Sequence, residues 1–168
     1  MVNATVTELR KQSEAAWEKL EGQLEGMEAH MERTHADGEW TTRQVLSHLL
    51  FEPGFDPVPL LRSFHAIELP LIEVTPGVAT VTPERQRMTL AEFVAALDTQ
   101  RRAVFGYLET LDPAGLERKA RIPIFKPLIG TDEITLPIFV GALFGRHWSA
   151  HADQLAQIRR AVGLLEPG

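Results

Sequence analysis

The chain contains no cysteine. That excludes disulfides, thiolate nucleophiles and every cysteine-based zinc or iron–sulfur site, so a bound metal would have to be held by histidine and carboxylate. Long apolar runs are also missing. The longest, Leu136 to Gly145, is about half of what a bilayer-spanning helix needs, and Met1 to Leu9 lacks the apolar core of a signal peptide. A soluble cytoplasmic protein with no membrane partner is expected. There is no basic stripe either. Seventeen Lys and Arg stand against 23 Asp and Glu, for a formal charge of −6, and the cations are scattered in short pairs such as Arg101-Arg102 and Arg159-Arg160. Nothing in that pattern neutralises a run of phosphates, so no nucleic-acid partner is expected. The sequence has no glycine-rich phosphate loop and no G-x-S-x-G elbow. Ser13, Ser47, Ser63 and Ser149 show no sign of a catalytic triad, and no internal repeat or low-complexity tract is present.

What is present is ordinary for a globular chain: 168 residues, 44% hydrophobic and 24% charged. That length predicts a single domain, residues 1–168, with a core of its own. Four segments carry helical periodicity. In the first, Leu9, Ala16, Leu20, Leu24, Met27 and Met31 recur at helical steps, and Gly38 ends the region. The second is announced by Thr41 and Gln44 as a capping box, with Trp40 and Val45 placed for a hydrophobic staple. The third repeats the device with Thr89 and Glu92, Met88 and Phe93, and runs to the stop at Asp112-Pro113. The fourth begins near Thr135, tolerates Pro137 in its first turn and runs through Val140, Leu143, His147, His151, Leu155, Ile158 and Val162. Between them lie two long proline-bearing connections, Glu52 to Arg87 and Asp112 to Ile134. The first has room for a short helix around Leu60–His65. Strand-like pieces such as Gly77 to Val81 do not add up to a sheet. The fold class this predicts is all-α: a four-helix bundle with long crossover connections.

His147 and His151 are the residues of greatest chemical interest. They lie four apart in Arg146-His147-Trp148-Ser149-Ala150-His151, one turn apart on one helix face, and the apolar stripe of the fourth helix places them facing the core. A buried imidazole needs partners for both nitrogens, and leaving one unpaired costs about 1–3 kcal/mol. Taken alone, the pair is read more economically as hydrogen-bonded core histidines, since the glutamate of an HExxH zinc site is absent. His48, on the second helix with Val45 and Leu49, also points inward and could supply a third imidazole. His65 in the first crossover is its competitor for that place. Glu52, one turn beyond His48, is a candidate catalytic base or further carboxylate ligand, with Pro53 ending the helix after it. Gln154, three residues past His151, is placed to contact an imidazole from behind.

The segment Trp40-Thr41-Thr42-Arg43-Gln44-Val45-Leu46-Ser47-His48-Leu49 resembles the signature near the second helix of the DinB-like (damage-inducible) superfamily. Thr89-Leu90-Ala91-Glu92-Phe93 is similar to that family's third-helix start. His147-x-x-x-His151-x-x-Gln154-Leu155 is similar to its fourth-helix element. The resemblance covers nearly the whole chain, to Arg160. It implies a bundle of up-down-down-up topology, a homodimer, and a divalent metal, nickel or zinc, on His48, His147 and His151. Relatives of this kind include thiol-dependent S-transferases and isomerases that use bacillithiol or mycothiol, so the resemblance implies a small-molecule substrate or thiol cosubstrate. An open position on such a metal would take water or a thiol, for hydrolysis or thiol transfer. The alternative to a metal-dependent enzyme is a non-catalytic metal- or ligand-binding homodimer. One departure stands out: Phe51-Glu52-Pro53-Gly54-Phe55-Asp56-Pro57 interrupts the chain where the family continues as a helix.

Overall fold

Side-chain caps begin three of the four long helical segments. The computed structural model describes residues 3–52 and 56–167; Pro53 lies outside them, and the second helix already ends at Leu49, short of the stop expected there. Helix α1 (Ala4–Leu24) starts at Asn3, whose side chain accepts from the Thr5 amide. Helix α2 (Thr42–Leu49) carries the predicted capping box. Gln44 N donates to Thr41 Oγ1 at 3.2 Å and Thr41 N to Gln44 Oε1 at 2.8 Å. Short helices α3 (Pro57–Ser63) and α4 (Pro83–Arg87) punctuate the first crossover. Helix α5 (Leu90–Glu109) opens on the second predicted box, Thr89 with Glu92. After it come α6 (Pro113–Leu116), strand β1 (Lys119–Arg121), α7 (Lys126–Ile129) and strand β2 (Glu133–Thr135). The fourth long segment is α8 (Leu136–Gly141), a π-helical turn (Ala142–His147) and α9 (Trp148–Ala161), one after the other without a break.

The bundle is formed by α1, α2, α5 and the α8–α9 segment. Helix α1 packs along α9, α8 and the π turn on one side and α5 on another, while α2 packs on α9 and α5. Leu20, Met27, Val45, Leu46, Phe93, Leu97, Leu108, Val140, Phe144, Trp148, Leu155 and Ile158 are fully buried between them. Each side chain of that size removed from water contributes about 1.5–3 kcal/mol before the cost of ordering the chain. Trp148 sits at the centre of an aromatic chain, 5.7 Å from Trp17 and 5.0 Å from Phe144 between ring centroids.

Three details differ from the sequence expectation. The first helix ends at Leu24, with Gly26 at φ +75 behind it, well before Gly38. Met27 and Met31 are still buried because a 3₁₀ turn, Glu28–His30, carries them back onto the core. A sheet does form, of two antiparallel strands, β1 and β2, at places without strand periodicity, while Gly77 to Val81 is not a strand. The free edge of β1 bonds the crossover: His65 exchanges backbone hydrogen bonds with Lys119, and Ile72 N donates to Arg121 O. Lastly, the buried line of the fourth segment is Val140, Phe144, Trp148, Ala152 and Leu155. His147 and His151 lie one step round from it and are half-buried.

Candidate metal centre

The α2 capping box sets where the helix starts, and one face of the helix then carries Val45 and Leu49 into the core. His48 follows in the last turn, half-buried, at the edge of that face. On the other side of the site, the π turn ends at His147 and α9 brings His151 one turn later. A π turn holds one residue more than an α turn, so the residues after it are rotated by about 100° relative to a continuous α-helix. That rotation lets Leu136 and Val140 lie on the core side of α8 while both histidines turn toward α2.

The three rings meet. His48 Nε2 lies 2.9 Å from His147 Nε2, and His151 Nε2 lies 3.1 Å from the same atom. Ring centroids are 4.6–5.0 Å apart. Among the described residues these three form the cluster of groups able to hold a metal ion, with one ligand atom each, all within 4.8 Å of one another. Imidazole nitrogens about 2.0–2.1 Å from a shared ion stand about 3 Å apart at right angles and about 3.3 Å apart at tetrahedral angles. The observed separations lie close to that range.

The far sides of two rings determine their tautomers. His48 Nδ1 donates to the Val78 carbonyl at 2.6 Å, and His151 Nδ1 donates to Gln154 Oε1 at 2.8 Å. With a proton on each Nδ1, the lone pairs of both Nε2 atoms point at His147. Burial, with the neighbouring His151 and His48 next in weight, pushes His147 down to about 3. His151 is also lowered, first by burial; the Gln154 hydrogen bond opposes the shift and His48 adds to it. Both rings are therefore neutral at neutral pH. His147 Nδ1 is buried and has no hydrogen-bond partner among the described residues. A proton on His147 Nε2 can bridge to one neighbouring lone pair but not to both. A divalent cation between the three Nε2 atoms satisfies all of them, so the donor set fits a metal of the imidazole-binding class.

Trp40 walls the cluster. Its ring stacks on His151, with centroids 6.1 Å apart and planes at 11°, and its centroid is 4.8 Å from that of His48. The other candidates lie elsewhere. His65 is exposed on the edge of β1, where its Nδ1 accepts the Ile67 and Glu68 amides, so the third imidazole of the cluster is His48. Glu52 is exposed, and its Oε1 accepts from Thr80 Oγ1 at 2.9 Å; its carboxylate is outside the cluster. Gln154 does contact an imidazole, as its spacing suggested. The Val78 carbonyl and the Trp40 wall were not identified from the sequence. A backbone acceptor thirty residues from its donor leaves no side-chain signal, and a tryptophan beside a helix start reads as a staple.

A family model described as the DinB superfamily matches residues 12–155, a span that includes all three histidines. The chain belongs to the DinB superfamily. No curated protein matches it by sequence. Among solved structures, this DinB-superfamily chain is similar to YfiT from Bacillus subtilis, described as "a probable metal-dependent hydrolase with an unusual four-helix bundle topology". The TM-score is 0.70 at 20% identity, over 98% of this chain and 92% of that one. That likeness shows the four-helix bundle fold. Among the described residues, no helix is long and apolar enough to cross a membrane.

Proposed function

We propose that this protein is a hydrolase that depends on a divalent metal, zinc or nickel, held by the Nε2 atoms of His48, His147 and His151. The observation that carries the reading is the meeting of three Nε2 atoms at 2.9 and 3.1 Å while two of the rings have their protons committed on the opposite nitrogen. Three imidazole donors at a half-buried site leave coordination positions free, as catalytic sites do. An ion bound there supplies Lewis acidity and an acidified water for hydrolysis, or stabilises the thiolate of a low-molecular-weight thiol cosubstrate for S-transfer. The chain's own contribution is to orient the rings through Val78 and Gln154, to keep His147 and His151 unprotonated, and to limit water on one side with Trp40.

Hydrolysis is preferred over S-transfer because YfiT, similar to this chain over nearly its whole length, is described as "a probable metal-dependent hydrolase". The test is metal content together with a panel of amide and ester substrates assayed with and without a thiol. Stoichiometric zinc or nickel and thiol-independent turnover that disappears in His147→Ala support the reading. Turnover only in the presence of a thiol would replace hydrolysis by S-transfer. Metal retained in full by a protein carrying both His147→Ala and His151→Ala would defeat the metal site itself.

A further inference from the structure

We propose that Arg85, acting with Glu52 and Thr80, is a positioning residue for His48. The inference rests on the metal-site reading above for its consequence, though not for its geometry. Val78, whose carbonyl receives the His48 Nδ1 proton, lies in a stretch, 78–82, that is neither helix nor strand. The direction of that carbonyl therefore depends on side-chain tethers. Arg85 supplies one. The residue is 6% exposed, and Nη1 donates to Ser47 O at 2.8 Å and Thr80 O at 3.2 Å while Nη2 donates to Phe51 O. One side chain thus bridges the end of α2, which carries His48, and the stretch that carries its acceptor.

The tether has further ties at both ends. Thr80 Oγ1 donates to Glu52 Oε1, joining the same two segments at the surface. From the other side, Arg43 of α2 donates Nη1 to Arg85 O and Met88 O at 2.8 Å each, holding α4 against α2. Burial works against the charge on Arg85, and Glu52 and Glu84 support it. A planar guanidinium reaches three carbonyls in a fan; an ammonium on a flexible stem does not hold the same three in one geometry. Glu52, four residues past His48 and beyond the end of α2, then has a definite part: its carboxylate ties down Thr80 and stands beside Arg85.

The experiment is nitrogen NMR of the metal-free protein labelled at histidine, run on wild type, Arg85→Lys and Thr80→Val, followed by zinc competition against a chromophoric chelator. Wild-type His48 is expected as the Nδ1–H tautomer. Both variants are expected to shift it toward a mixture and to weaken zinc binding about ten- to a hundred-fold. A residue that only stabilises the fold would lower the unfolding midpoint and leave the tautomer where it was. Should Arg85→Lys fail to fold, Thr80→Val alone decides, since it removes only a surface hydroxyl. An unchanged His48 tautomer in the folded variants overturns the positioning role. A shifted tautomer with unchanged zinc affinity supports that role and counts against the metal reading.

Discussion

Burial holds His147 at about 3, against an ordinary value of 6.5, and this has a consequence for stability. Between those two values the unfolded chain binds a proton that the folded metal-free protein refuses, so acidification favours unfolding. The contribution of His147 to stability is present above about 6.5 and is lost as the pH falls toward about 3. Denaturant midpoints of the metal-free protein across that window should fall more steeply for wild type than for His147→Leu; parallel curves would contradict the assignment. At the same scale, Gln154→Leu removes the acceptor behind His151 and should weaken metal binding about ten- to a hundred-fold, measured by chelator competition. The HxxxH spacing and the His48 position were legible in the sequence because side-chain identity and helical period carry them. The acceptor of His48 was not, since Val78 contributes only a carbonyl.

Among elements, the two capping boxes were readable as they stand. Each pairs a threonine with a Gln or Glu three residues on, a purely local chemistry. Their loss should separate stability from site geometry. Thr89→Ala is expected to cost about 0.5–2 kcal/mol of stability and leave metal affinity unchanged, because α5 carries no ligand. Thr41→Ala should cost a similar amount and also weaken metal binding, because it frays the helix that bears His48. Chemical denaturation and metal titration of both variants check the contrast, and equal effects on affinity would contradict it. Other elements were not legible. The end of α1 at Leu24 was hidden because Met27 and Met31 keep the apolar period going through a 3₁₀ turn. Strands β1 and β2 are three residues each and pair across the chain, too short for alternation to register. The π turn before His147 has no residue signature, yet it sets which face the histidines occupy.

For the whole molecule, the bundle follows from four amphipathic segments, and its long connections follow from their prolines. What those connections do became visible only in three dimensions. The first crossover supplies Val78, Thr80 and Arg85 beside α2, while its other end, at His65 and Ile72, is bonded to β1. Metal binding to the folded chain alone stabilises it by mass action, by about 2.7 kcal/mol at a free ion concentration a hundred times the dissociation constant. Thermal unfolding should therefore move to higher temperature with added zinc or nickel and back again with a chelator; in a chain carrying both His147→Ala and His151→Ala it should not move. The most direct measurement is X-ray absorption at the metal edge of the zinc- or nickel-loaded protein. Three imidazole nitrogens at about 2.0–2.1 Å, reduced to two in His48→Ala, are predicted. A first coordination sphere without imidazole, or one identical in His48→Ala and wild type, would contradict the account.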